Sequence, residues 1–258
     1  MTCNCQDGVR SCECVEEDPY FPRPSLVTRY SDNIVDELKA RIRAKGLSWN
    51  ASDNISEVIR SDSERKALID EVANRFSGVL DALLIDQEND PNSAGTAKRL
   101  AKMYINEIMA GRYFPAPDVT AFPNTGDKRY TGMLVVRSEI KSMCSHHHQP
   151  VTGTCYIGVL PSDKVIGLSK YTRIAQWCAR RGTLQEELCN DIADNIRSAT
   201  ESKSVGVYIQ ATHGCCENRG IMAHSSLTQT TVLHGEFHDA SVKKEFFDNI
   251  ALQERAAH

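Results

Sequence analysis

The 258-residue chain has no surplus of positive charge: 30 Lys and Arg face 34 Asp and Glu, a formal charge of −4. Bulk electrostatics therefore cannot hold a nucleic-acid backbone, and any polyanion site must be built locally. No apolar run approaches the roughly 18 residues that a membrane span requires. The first residues, MTCNCQDGVRSCEC, lack both the basic start and the apolar stretch of a secretory signal. The expectation is a cytoplasmic protein with no nucleic-acid or membrane partner. Neither low-complexity sequence nor an internal repeat is present. A chain of this length buries roughly three quarters of its surface and needs no covalent staples.

Cysteine, by contrast, is abundant, with ten residues. A disulfide scaffold does not suit so long a chain without an export signal, so clustered Cys and His point to metal. Cys3, Cys5, Cys12 and Cys14 form a terminal group that can hold a closed tetrahedral zinc or form an oxidisable tail. Cys155, Cys178 and Cys189 are scattered through apolar patterns, and Cys144, Cys215 and Cys216 lie beside histidines.

Hydrophobic periodicity divides the chain. Residues 1–30 carry no period and are read as a tail. Helices are expected from a Ser31 or Asp32 cap to about Ala44, from a Ser61 or Asp62 cap through Leu83, and from Thr96 to Ala110, stopping at Gly111. Residues 112–128 read as a connection. Strands are expected at 133–143, 151–160, 204–212 and 227–237, with Val151, Gly153, Cys155, Ile157 and Val159 on one face of the second. Helices are expected at about 169–180, 183–200 and 240–255. Two strands, two helices and two strands make an α+β order, with an antiparallel sheet carrying two helices on one face. The expected division is a tail over 1–30, a helical region over 31–121 and a catalytic domain over 122–258.

The densest chemistry lies in CSHHHQP at 144–150 and HGCCENRG at 213–220. Cys144 and His147 are three apart, so a turn can bring thiolate and imidazole to one ion. One further thiolate from the second cluster completes three protein ligands, the catalytic zinc arrangement with an open vertex. His146 and His213 adjoin these clusters and can move protons near neutrality. In GLSKYTR at 167–173, Ser169 is expected to cap a helix whose first turn carries Lys170 and Arg173, an anion site to which Arg219 adds a cation. Gln185 and Glu186 fall in the first turn of the next helix. A carboxylate there can read the N–H edge of a base, although the helix dipole alone also favours a first-turn Glu.

These segments resemble GTP cyclohydrolase I, a family whose pattern is C-E-H-H, G-L-S-K-x-x-R, Q-E and H-x-C-x-x-x-R-G, preceded by T-x-x-R-x-A-K-M-Y. The last is similar to Thr96–Tyr104 here, and the likeness spans roughly residues 65–255. The resemblance implies a tunnelling fold (T-fold) assembled as a homodecamer of two stacked pentamers, with active sites between subunits. It implies zinc on Cys144, His147 and Cys215, catalytic His146 and His213, and a guanine reader in Glu186 with Gln185. It further implies triphosphate binding by Ser169, Lys170, Arg173 and Arg219, with Arg99 supplied by a neighbouring subunit.

The implied reaction is hydrolytic attack at C8 of GTP, ring opening, release of formate, ribose rearrangement and closure to 7,8-dihydroneopterin triphosphate. Folate, biopterin and 7-deazaguanine synthesis all start from that compound. Three positions depart from the pattern. Ser145 replaces an acidic residue, His148 an aliphatic one, and Cys216 adjoins the implied ligand. The last two offer alternative metal ligands. A variant enzyme on another purine or pterin, and a silent nucleotide-binding paralogue with structural zinc, are the rival readings.

Overall fold

The computed structural model describes residues 34–256. The tail with Cys3, Cys5, Cys12 and Cys14, and the expected caps Ser31 and Asp32, lie outside the described residues.

The helical region begins with α1 (Ile34–Ala44) and α2 (Asp62–Ala82). Ser61 caps α2 as expected, its hydroxyl accepting from the Glu64 N–H. A short 3-10 turn, Ser56–Val58, lies between them. Leu38, Ile42, Ile55, Val58, Ile59, Leu68 and Ile105 close a separate small core here. Helix α3 (Thr96–Met103) runs into a π-helical turn, Tyr104–Ile108, and then α4 (Ala110–Tyr113).

Gly111 does not stop the helix as expected; it lies inside α4. A Cβ there would fall 1.9 Å from the Trp177 carbonyl oxygen, so glycine serves close packing rather than termination.

Four strands form one antiparallel sheet in the order β2-β3-β5-β6: β2 (Leu134–Met143), β3 (Pro150–Val159), β5 (Val205–His213) and β6 (Thr228–Leu233). A two-stranded sheet pairs β1 (Ala121–Pro123) with β4 (Lys164–Ile166), within and beyond the segment read as a plain connection. The expected fourth strand ends early. After Leu233 the chain makes a 3-10 turn, Gly235–His238, which buries Phe237.

Helices α5 (Leu168–Ala179) and α6 (Gln185–Thr200) cover one sheet face, parted by Gly182 in the left-handed region at φ 91°. Odd-numbered Val151, Cys155, Ile157 and Val159 meet Ile174, Ala175, Leu188, Ile192 and Ile196 in the main core. The period-2 reading of β3 is thus borne out. The opposite face is covered too. Tyr156 and Tyr208 pack with Phe237, and with Phe246 and Ile250 of α8 (Ala240–Ala256). Even-numbered Gly158 leaves room for the Phe246 ring.

Among the described residues no helix is long and apolar enough to cross a membrane. The architecture is α+β.

Candidate metal centre and active site

Register brings the two Cys/His clusters together. Ser142 pairs with Val151, and Val151 with His213, so the β2–β3 hairpin turn and the end of β5 share one end of the sheet. The turn is tied by Cys144 N–H to the Gln149 carbonyl and His148 N–H to the Cys144 carbonyl, both at 2.9 Å. Beyond His213 a single helical turn, α7 (Gly214–Glu217), contacts the start of β3 and carries Cys215 towards Cys144.

The Cys144, His147 and Cys215 donor atoms all lie within 4.8 Å of one another. A tetrahedral zinc at the usual S and N bond lengths has its ligand atoms roughly 3.5–3.8 Å apart, so one ion fits after a small closure. Cys144 is buried, Cys215 half-buried and His147 exposed. Burial first, and then the neighbouring Cys144 and Cys216 thiols, push the Cys215 thiol up to about 11. A divalent cation reverses that crowding by stabilising thiolate charge. The donor chemistry and spacing therefore fit zinc.

Neither alternative ligand joins this cluster. His148, at φ 51°, turns to the helical region, where Nδ1 lies 3.3 Å from the Tyr104 hydroxyl and the ring packs on the Tyr104 ring. Cys216 Sγ is 4.0 Å from Cys215 Sγ but outside the three-atom group.

His213 ends β5 half-buried, its Nε2 2.7 Å from Gln185 Oε1. Burial lowers its proton affinity, partly offset by the Glu186 and Glu217 carboxylates. Gln185 and Glu186 open α6 as expected. They are held beside the metal end because the Thr183 N–H donates to the Met143 carbonyl at 3.2 Å. Glu186 is exposed, whereas Gln185 is buried. The His146 ring lies edge-on to His147, with centroids 6.3 Å apart. Arg219 is exposed four residues beyond Cys215.

The other residues expected to bind an anion lie elsewhere. Ser169 is not the cap of α5: Gly167 occupies that position with no side-chain bond, and Ser169 is in the first turn. That turn sits beside the start of β2, where Leu168 lines a groove with Leu134–Arg137. Lys170 Nζ donates to the Asp118 carbonyl. Arg173 lines a hollow with Phe114, Trp177 and Arg180. Arg99, on α3, is bonded to the Asn92 and Ala94 carbonyls and to the Thr96 hydroxyl. Asp118 and Thr183 had no distinguishing signal in the sequence, because they act through backbone groups that meet residues 40 or more positions away.

A sequence model of the family described as GTP cyclohydrolase I matches residues 72–251. Proteins named GTP cyclohydrolase 1 are similar over most of the chain. That of Aeromonas hydrophila subsp. hydrophila is 34% identical over 202 residues, covering 78% of this chain and 88% of the relative. That of Aeromonas salmonicida is 36% identical with the same coverage, and that of Flavobacterium johnsoniae 33% over 207 residues, covering 78% and 91%. A solved archaeosine synthase, QueF-Like in the apo form, overlaps 40% of this chain and 93% of its own at 14% identity and a TM-score of 0.34, too slight to argue from. On the family match and the length of these alignments, the chain belongs to the GTP cyclohydrolase I family of enzymes.

Proposed function

We propose that the protein is a zinc-dependent GTP cyclohydrolase that converts GTP and water to formate and 7,8-dihydroneopterin triphosphate, feeding a pterin, folate or 7-deazaguanine route. The observation that carries this reading is the convergence of Cys144, His147 and Cys215 at the sheet end that also holds His213 and Glu186. We assign the chain to the tunnelling fold, with a helical region over 31–121 and a catalytic domain over 122–258. The separate small core of the helical region supports that division.

Zinc on Cys144, His147 and Cys215 would supply a Lewis acid that makes water nucleophilic near neutral pH. Glu186 reads the N–H edge of the guanine. His146 and His213 move protons at the purine ring and the ribose; burial keeps His213 readily deprotonated. Ser169, Lys170, Arg173, Arg219 and Arg99 hold the triphosphate.

Leu168, the residue before Ser169 and Lys170, lies by the first residues of β2, and Cys144 lies just beyond its last. At about 3.3 Å per residue, the ten residues of β2 separate the two by roughly 30 Å, more than one nucleotide spans. That supports sites completed between copies, as in a homodecamer, with the phosphate grip of one chain serving the metal end of another.

Incubation with GTP under zinc-replete conditions tests the reading. One formate and one oxidisable, fluorescent pterin per GTP are expected. GTP left intact, or a product retaining the C8 carbon, would overturn it.

A further inference from the structure

Gln185 stands next to Glu186 in sequence, but its side chain faces the protein interior, only 4% exposed. Its amide nitrogen lies 3.3 Å from the Ile209 carbonyl, 3.1 Å from the Thr228 carbonyl and 3.2 Å from the Thr230 hydroxyl. Two of those partners are carbonyl oxygens, which only accept. The amide must therefore turn its N–H bonds toward β5 and β6, which orients Oε1 toward His213 Nε2 at 2.7 Å. An amide oxygen only accepts, so Nε2 of His213 carries a hydrogen and donates it. Nδ1 is left as the ring nitrogen with a lone pair.

We propose that Gln185 is the positioning residue of His213. It fixes the Nε2–H tautomer and the ring orientation, leaving Nδ1 as the nitrogen turned away from the amide, and it leaves base reading to Glu186 alone. Three elements, α6, β5 and β6, triangulate the amide, a buried arrangement suited to holding a ring still. A neutral amide also suits the role better than a carboxylate would. It orients the imidazole without competing for its proton, and it faces the Ile209 and Thr228 carbonyls without repulsion. Glu186, exposed on the same turn, keeps its carboxylate open to a ligand.

The inference rests on His213 being a proton-transfer group at a GTP site, so its test separates the two. Solid-state NMR of the zinc-loaded protein carrying 15N-histidine, assigned against His213→Gln, reads the ring nitrogens without needing turnover. In the neutral ring the hydrogen is expected on Nε2 and not on Nδ1. A neutral ring carrying its hydrogen on Nδ1 would overturn the proposal even if GTP is hydrolysed.

Kinetics supply the second arm. Gln185→Met should lower kcat roughly 10²-fold, the scale of one misplaced acid–base group. Zinc content, KM for GTP and the preference for GTP over inosine triphosphate should stay at the parent values. Glu186→Ala should erase that preference. If Gln185→Met instead raises KM or erases the preference with kcat retained, the amide reads the base and the proposal fails.

Discussion

Six cysteines among the described residues separate by environment. Cys155, Cys178 and Cys189 are fully buried in the core between sheet and helices. Burial pushes Cys155 well above the usual thiol range, Cys178 to about 12 and Cys189 to about 11. These thiols are packing groups, because the nucleophile is the thiolate. Alkylation of the native protein followed by peptide mass mapping should leave all three unlabelled. Cys144 and Cys215 should become labelled only after a chelator removes the metal. Cys216, outside the donor cluster, should be dispensable. Cys216→Ser is expected to keep one zinc per chain and parent turnover, whereas Cys215→Ser should lose both, read by elemental analysis and formate release. Equal zinc loss in the two would make Cys216 a ligand.

Between α1 and α2 the structure depends on one carboxylate. Glu64 accepts both ends of the Arg41 guanidinium, at 2.7 and 2.9 Å, and the Arg60 N–H at 2.8 Å. Those bonds, the Arg41 one foremost, hold its carboxyl at about 2 rather than the usual 4.5. A depressed carboxyl stabilises the fold while ionised, and the contribution is lost as pH falls from about 4.5 toward 2. Glu64→Gln should therefore unfold at lower denaturant than the parent at pH 7, with the gap closing as pH drops through that window. A gap independent of pH would assign the effect to shape instead of charge. Helix α4 depends on a different feature, the contact of Gly111 with the Trp177 carbonyl. Gly111→Ala forces that pair apart and should cost about 1–3 kcal/mol in a urea melt, the range for overpacking.

Among the described residues, β2 and β6 are the outer strands of the four-stranded sheet, each with one unpaired edge. Such edges are open to pairing with further chains. The distance between the turn proposed to bind phosphate and the proposed metal end makes a mixing experiment decisive. His147→Ala and Lys170→Ala chains should each be inactive alone, yet regain part of the turnover when unfolded together and refolded as mixed oligomers. A mixture as inactive as its components would mean that each site is built from one chain.

The grouping of Cys144, His147 and Cys215 was legible in the residues because Cys and His are chemically specific, and three residues of spacing puts Cys144 and His147 on one turn. Strand alternation in β3 and the start of α6 at Gln185 were legible for a similar reason: both are local periodicities. Ser169 as a cap and Gly111 as a stop were misread, because a cap or a stop depends on backbone angles and neighbours that residue type alone leaves undetermined. Register between β2, β3 and β5 decided which motifs meet. It placed His213 beside Cys144, sent the first turn of α5 to the other end of β2, and buried Gln185 against β6 while Glu186 stayed in solvent. Those outcomes come from contacts between residues far apart in the chain, which only the packed sheet and its helices create.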